Sequence, residues 1–168
     1  MKLLAGAGVL ALLLVIVGAV TALRGHGPSA FPEASYATRE EAEKASALQP
    51  GAWLPPQIPA GATLLHESHN PATHQTWGSF RLPPGAEGWR PTLPAKQSEQ
   101  PGELMLLGAP KNVEWWPQHL RARTSSADLE KQGFRFYVIE KGEQSPLVFG
   151  VQSGGRGAEV FFWRLARQ

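Results

Sequence analysis

Residues 134–165, FRFYVIEKGEQSPLVFGVQSGGRGAEVFFWRL, decide the fold class of this chain. They contain three runs rich in β-branched and aromatic residues, separated by glycine-containing segments at which the chain can turn. The runs are Phe134–Lys141, Leu147–Gln152 and Ala158–Leu165. This pattern predicts a three-stranded antiparallel meander. Phe161 and Phe162 are adjacent and so point to opposite sides of their strand, which indicates that both faces of the sheet are covered.

Proline governs the residues before the meander. Fourteen of the 15 prolines lie between Pro28 and Pro117, which excludes long helices from that stretch. Two alternating runs, Ala62–Ser68 and Gln75–Leu82, flank turn-forming residues and predict a β-hairpin. Parallel strands need crossover connections of about a dozen residues or more, usually helical, so the sheet is expected to be antiparallel. The expected fold class is α+β, with about five strands and one or two short helices.

An uncharged segment opens the chain. Leu3–Leu23 is 21 residues long and carries no charge. At about 1.5 Å per residue, a helix of this length spans the hydrocarbon core of a bilayer. A cleaved signal peptide is the alternative, with Val20 and Ala22 at the small-residue positions before the cut. Signal peptides have shorter apolar cores of about 7 to 15 residues, so an uncleaved single-pass anchor is favoured.

The chain is therefore expected to have three parts. They are a transmembrane anchor with its flank (1–24), a juxtamembrane linker and stalk helix (25–50), and an α+β globular domain (51–168). The stalk helix is placed at Arg39–Leu48, because Thr38 and Glu41 form a capping box before it. A further strand at Glu103–Leu107 and a helical turn at Trp115–Leu120 complete the expected elements.

Charge and cysteine content exclude several classes of protein. Without Lys2 and Arg24, which flank the apolar segment, 14 Lys and Arg residues balance 14 Asp and Glu residues. Nucleic-acid binders need a concentrated positive surface, so no nucleic-acid partner is expected. The chain has no cysteine, which excludes disulfides, thiolate catalysis and a cysteine-based zinc ribbon. No cofactor is expected.

Three polar residues of the hairpin form a candidate metal site. If His69 lies opposite His74, then Glu67, His69 and His74 share one face near the turn. Two imidazoles and a carboxylate are suitable ligands for a divalent metal. The alternative is a polar hairpin end in which these side chains bond to one another and to water. The alternative is favoured, because the sequence supplies no evident fourth ligand or supporting shell.

Six tryptophans suggest either a ligand platform or an aromatic core. A small, proline-rich domain with few long aliphatic stretches needs aromatic residues for its core, so most of them are expected to be buried. Trp115 and Trp116 are the best platform candidates, because two adjacent rings in one turn do not easily both point inward. They are the candidate ligand-binding residues.

Three short motifs follow one another within residues 51–120. They are a Trp-Leu-Pro segment (Trp53-Leu54-Pro55), a His-Asn hairpin (His69-Asn70) and a Trp-Trp-Pro segment (Trp115-Trp116-Pro117). In these motifs this part of the sequence resembles a family of uncharacterised bacterial single-pass membrane proteins. The resemblance implies a membrane protein and brings no known activity. Ala72 and His74 stand where the family usually has Asp and Asn, which argues against a shared catalytic site in the hairpin.

The sequence contains no recognisable catalytic signature. Its only aspartate is Asp128, and it has no Gly-x-Ser-x-Gly motif. We therefore expect a single-pass membrane protein with a non-catalytic, extracytoplasmic binding or assembly module. Its expected partners are the bilayer, through Leu3–Leu23, and another membrane or envelope protein. The alternative is a weak metal-dependent hydrolase centred on Glu67, His69 and His74.

We expect the mature protein to retain Leu3–Leu23 and to stay in the membrane pellet after alkaline carbonate extraction, because an uncharged helix of this length is stable in the bilayer. The measurement is fractionation followed by N-terminal sequencing, with a peripheral membrane protein as the control. Recovery of a soluble form that begins near Leu23 would establish a cleaved signal peptide instead.

Overall fold

One antiparallel sheet organises the molecule. The computed structural model describes residues 31–86, 88–91, 97–98, 113–121, 126–141, 144–154 and 157–164. Its elements in chain order are β1 (Glu33–Thr38), α1 (Arg39–Lys44), β2 (Thr63–Asn70), β3 (Gln75–Arg81), β4 (Gln97–Ser98), a 3-10 turn (Gln118–Leu120), α2 (Ser126–Glu130), β5 (Phe134–Lys141), β6 (Gln144–Gly154) and β7 (Gly157–Arg164). The described part of the chain is mostly β, with two short α-helices.

The strand order is β1-β2-β3-β7-β6-β5-β4, and every neighbouring pair is antiparallel. The β2–β3 hairpin and the β5–β6–β7 meander confirm the sequence predictions. Pairing of β3 with β7 joins these two units into one sheet. Among the described residues the sheet has seven strands rather than about five, because the short strands β1 and β4 add to its two edges.

Strand β1 corrects the expected domain boundary. Residues 33–50 were predicted to be linker and solvated stalk, yet β1 pairs with β2 along its length. The pairing extends to Pro32, whose carbonyl oxygen accepts a hydrogen bond from the backbone N–H of His69 at 3.2 Å. Side chains of β1 alternate between exposed and half-buried, the pattern of an edge strand. The prediction missed this strand because Tyr36 is its only large apolar residue.

Helix α1 begins where the capping box predicted. The Thr38 hydroxyl accepts a hydrogen bond from the Glu41 backbone N–H at 3.3 Å, and the Glu41 carboxylate accepts one from the Ala37 backbone N–H at 2.7 Å. The helix ends at Lys44 rather than at Leu48, and Ser46 then adopts a left-handed conformation with φ of 61°. Ala42 is completely buried, so the helix packs on the domain and is not a solvated stalk.

The sheet separates two hydrophobic clusters. We call one side the loop face; α1 and the segment 48–62 cover it, and its buried core includes Leu65, Phe80, Phe149 and Phe162. We call the other side the tryptophan face; residues 113–121 and α2 cover it, and its core includes Trp77, Trp116, Phe136, Phe161 and Trp163. The expectation that both faces are covered is confirmed, and Phe161 and Phe162 do point to opposite sides.

Two sequence predictions lie outside the described residues: the membrane helix Leu3–Leu23 and the strand Glu103–Leu107. Within the described ranges, no helix has the length and apolar character needed to cross a bilayer. The helical turn expected at Trp115–Leu120 is present as the 3-10 turn that follows Pro117.

Gly78 of β3 occupies a position where the two neighbouring strands leave no room for a side chain. A Cβ built there would lie 2.7 Å from the backbone oxygen of His66 and would also overlap the Phe162 ring. We expect Gly78→Ala to lower the free energy of unfolding by about 1 to 3 kcal/mol, the usual cost of overpacking. Thermal unfolding measures the effect. Gly88→Ala is the control, because nothing lies within 4 Å of its Cβ position; equal stability of the two variants would contradict the packing described.

Candidate functional site

The β2–β3 hairpin closes two residues away from the predicted register. His69 lies opposite Thr76 rather than His74, and Glu67 lies opposite Gly78. The turn itself causes the difference: the Asn70 side-chain oxygen accepts a hydrogen bond from the Ala72 backbone N–H at 3.0 Å, and His74 adopts a left-handed φ of 55°. His74 is therefore a turn residue and has no cross-strand partner.

Glu67 and His69 form a close pair on the loop face. The Glu67 Oε2 and His69 Nδ1 atoms are 2.9 Å apart, and only 7% and 14% of the two side chains are exposed. Burial raises the pKa of the Glu67 carboxyl. The hydrogen bond and charge of His69 act against this rise but are the smaller effects. The pair is thus a largely desolvated carboxyl and imidazole, aligned because residues i and i+2 of a strand share a face.

Trp53 connects the histidines of the predicted metal site. Its ring stacks on His69 with centroids 4.0 Å apart and an interplanar angle of 9°. It also contacts His74, with centroids 6.1 Å apart. The structure therefore joins Glu67 directly to His69 and brings in His74 through an indole ring. No three His, Asp or Glu side chains among the described residues are grouped so as to hold a metal ion.

A groove opens beside this cluster on the loop face. Its volume is about 570 Å³, and it lies between the proline-rich segment 48–57 and one end of the sheet. Its floor is a row of side chains from four adjacent strands. The row runs Thr76, Arg164, Leu147, Ile139, and each residue is the cross-strand partner of the next. Trp53 and His74 line the groove near Thr76. It thus has a polar end and an aliphatic end.

The described floor of the groove carries one permanently charged side chain. Arg164 is the only Lys or Arg among the described lining residues, and that set contains no Asp or Glu. Arg164 is half-buried between Thr76 and Leu147, where charge interactions are less screened than on an open surface. Arg164 therefore contributes a guanidinium to the described lining of the groove.

Trp115 and Trp116, the predicted ligand platform, lie on the other side of the sheet. Trp116 is buried with 2% of its surface exposed and meets Trp163 edge-on in the core of the tryptophan face. Trp115 is half-buried and stacks on His66 with centroids 5.4 Å apart. Its indole Nε1 donates a hydrogen bond to Glu33 at 3.4 Å. The two rings therefore diverge, as expected from their adjacency.

His66 belongs to this second cluster. Its Nδ1 lies 2.8 Å from the Ser35 hydroxyl. Burial lowers the pKa of His66, although Glu33 and Glu159 act in the opposite direction. The neutral ring is therefore favoured in the fold, and its contribution to stability is lost as the pH falls below about 6.5, the ordinary histidine pKa. The Trp115–His66 stack holds the segment 113–121 against β2, next to the edge strand β1.

Sequence reasoning missed Arg164 as a site residue. The signal was its place in β7, where Ala158, Val160 and Phe162 precede it on the same side of the strand. Every second residue of a strand points to the same face, so Arg164 is expected on the same covered face as these three apolar residues. A charged residue at such a position is unusual and is a signal for a functional site. Trp53 was one of the six tryptophans of which most were expected to be buried, but its stacking partner His69 was not identified.

Glu67→Gln isolates the effect of the buried carboxyl. Because the pKa of Glu67 is raised, its folded state binds more protons than the unfolded state, and stability falls as the pH rises from about 4.5 through the raised value. Glutamine keeps an acceptor for His69 but does not titrate. We expect the free energy of unfolding of the variant, relative to that of the native chain, to increase over that interval and then to stay level. The increase is about 1.4 kcal/mol for each unit by which burial raises the pKa of the carboxyl.

The measurement is chemical unfolding of the full chain between pH 4 and pH 8. Glu130→Gln, at an exposed residue of α2, is the matched control for removal of a carboxyl group from the chain. A curve for Glu67→Gln that runs parallel to that of the native chain would show that burial does not raise the Glu67 pKa.

Comparison with known families gives one match. Residues 32–81 match the model of a family described as the YbbD head domain. The matched segment runs from the residue before β1 to the last residue of β3, so it contains Trp53, the Glu67–His69 pair and His74. It supports the expectation of a bacterial domain family of uncharacterised type, and its description names a head domain and no catalytic activity. No curated protein and no solved structure matches the chain. The first half of the domain is therefore similar to the YbbD head domain.

Proposed function

We propose that this chain is a membrane-anchored, extracytoplasmic, non-catalytic binding module, and that its ligand occupies the groove beneath residues 48–57. The groove is the observation that carries the proposal. Its volume of about 570 Å³ lies within the range of about 300 to 1,000 Å³ typical of ligand sites. Its floor also combines aliphatic side chains with polar groups that can orient a ligand.

The stacked Trp53 ring supports a binding role. The indole is half-buried; it packs against His69 and lines the groove. Aromatic rings held in place by a stack offer contact area at little cost in conformational entropy, which is why they are enriched at binding interfaces. The Glu67–His69 hydrogen bond orients the imidazole beneath the indole. Trp53 therefore replaces Trp115 and Trp116 as the proposed platform.

The anchor is proposed from the uncharged run Leu3–Leu23. Because the sheet begins at Glu33, the nine residues 24–32 separate it from the end of that run. A fully extended chain of that length reaches only about 30 Å. The domain is thus proposed to work close to the bilayer surface, and its partner to be another membrane or envelope protein.

The alternative of a metal-dependent hydrolase has less support. It needs at least one ligand in addition to Glu67 and His69, and the described residues place no third His, Asp or Glu beside that pair in a metal-binding arrangement. The Nδ1 atom of His69 already faces the Glu67 carboxylate. Elemental analysis of the purified full chain decides this point: stoichiometric metal that is lost in His69→Ala would favour the hydrolase.

Site-specific photo-cross-linking in cells tests the groove. A photoreactive phenylalanine analogue replaces Gln49, an exposed residue of the groove rim. We expect an adduct from this position, and we expect Trp53→Ala to remove it because the ligand loses its platform. Trp53→Phe keeps a stacking ring and should retain the adduct. The measurement is the yield and mass-spectrometric identity of the adduct.

The control position is Gln132, an exposed residue after α2, at the border of the tryptophan face. Adducts of equal yield at Gln49 and Gln132, or an adduct at Gln49 that survives Trp53→Ala, would contradict binding in the groove. The melting temperature of each Trp53 variant separates loss of binding from loss of folding.

A further inference from the structure

We infer that strand β1 pairs with β1 of a second copy of this chain, so that two sheets join edge to edge in a symmetric dimer. This surface is separate from the groove, because none of the described residues that line the groove lies in β1. The inference rests on the proposed function only for the membrane anchor, which holds two copies in one bilayer. The backbone of β1, its side chains and the segment before it support the inference.

The outer edge of β1 presents backbone groups for another strand. β1 is the first strand in the order of the sheet, and no strand lies on its other side among the described residues. The Pro32 carbonyl oxygen bonds to β2 through the His69 N–H, so by alternation Ala34 and Tyr36 also direct their backbone groups toward β2. β1 contains no proline or lysine that would protect its edge. The residues whose backbone groups point outward are Glu33, Ser35 and Ala37.

Glu41 limits the length of this free edge. Its carboxylate accepts a hydrogen bond from the backbone N–H of Ala37 at 2.7 Å, which confirms that Ala37 faces outward. Helix α1 begins at Arg39 and turns the chain away from the strand direction. Another strand can therefore pair with about five residues of β1, and Ser35 lies at their centre.

The side chains of β1 are complementary to those of a second β1. In an antiparallel pair centred on Ser35, Glu33 lies opposite Ala37 of the second copy. Tyr36 lies opposite Ala34, so each large or charged side chain faces an alanine. The two Glu33 residues are then four positions apart along the strands, roughly 14 Å. A pair centred on Ala34 would place them on a diagonal about 7 to 8 Å apart, where their charges repel, so the register centred on Ser35 is favoured.

The segment before β1 favours a second copy over an unrelated partner. Residues 24–32 join β1 to the run Leu3–Leu23, the proposed anchor. Two anchored copies share one bilayer, which raises the effective concentration of each edge near the other. Each connecting segment reaches about 30 Å, roughly twice the separation of the two Glu33 residues in the pair, so both copies can reach the same membrane surface.

Ser35→Pro tests the backbone contact. Proline removes the outward N–H of Ser35, which does not bond to β2, and edge strands accept proline where the N–H faces away from the sheet. Ser35→Ala is the matched control, because it loses the same hydroxyl contact with His66 and keeps the N–H. We expect Ser35→Pro to weaken self-association at least about tenfold relative to Ser35→Ala, since the hydrogen bonds at the centre of the pair are lost.

Self-association is measured by fluorescence energy transfer between two labelled populations of the full chain in lipid vesicles. The labels are attached through Glu130→Cys, at an exposed position of α2. The chain has no cysteine of its own, so each label has one site. The melting temperatures of Ser35→Pro and Ser35→Ala show whether the proline variant is folded.

Cysteine substitutions test the register. Opposite residues of an antiparallel pair have Cα atoms about 4.5 to 5.5 Å apart, within the range of a disulfide. We expect Ser35→Cys to form a disulfide-linked dimer on mild oxidation of membranes. We expect Glu33→Cys to form a link with Ala37→Cys, in two differently tagged copies, and not with itself. Glu130→Cys is the control and should give no dimer.

Self-association that survives Ser35→Pro, or equal dimer yields for Ser35→Cys and Glu130→Cys, overturns the inference. A link from Ser35→Cys to a different protein in place of the dimer also overturns it. If Ser35→Pro melts at a lower temperature than Ser35→Ala, the disulfide yields decide alone. A soluble chain in carbonate extraction would remove the anchor, and absence of the Gln49 adduct would remove the groove. Neither result changes the Ser35→Cys dimer yield, so the proposed function and the dimer fail separately.

Discussion

The pairing of β3 with β7 is the contact on which the rest of the structure depends. It joins residues 76–81 to residues 159–164 and turns two local units, the β1–β2–β3 ribbon and the β5–β6–β7 meander, into one sheet. Trp77 opposite Trp163 makes the core of the tryptophan face continuous, and Gly78 opposite Phe162 does the same for the loop face. Thr76 and Arg164 become neighbours only through this pairing, so the floor of the groove depends on it.

Local sequence patterns were sufficient for the elements that turns connect. Alternating apolar runs indicated the hairpin and the meander, and adjacent Phe161 and Phe162 indicated two covered faces. The patterns were insufficient for β1, because Tyr36 is its only large apolar residue. They also left the β3–β7 pairing undetermined, because periodicity shows which face a residue occupies but does not identify the strand beside it. The hairpin register was wrong by two residues because the turn was assumed to begin at Asn70.

The site was predictable to a similar degree. Glu67 and His69 were correctly placed on one face, since alternate residues of a strand share a side. The third member of the proposed set, His74, was misplaced with the register, and Trp53 took its position next to His69. A contact between a ring in a proline-rich connection and a strand 16 positions later depends on how that connection folds back, and its sequence carries no periodic pattern. The groove depends on the hairpin register and on how this connection folds back, so it was not foreseeable.

The family match ends with β3, and β3 depends on the second half of the chain for the strand on its other side. Residues 32–81 finish with β3, in which Thr76, Trp77, Gly78, Ser79 and Phe80 are all buried. Left as an edge strand, β3 would expose Trp77 and Phe80 together with a row of unpaired backbone groups. The matched segment therefore needs another strand beside it. In this chain β7 supplies that strand, and with it Arg164. Trp53 and Thr76 of the groove lining thus belong to the matched segment, whereas Arg164, Leu147 and Ile139 come from the meander. The groove therefore exists only because the two halves of the sheet are joined.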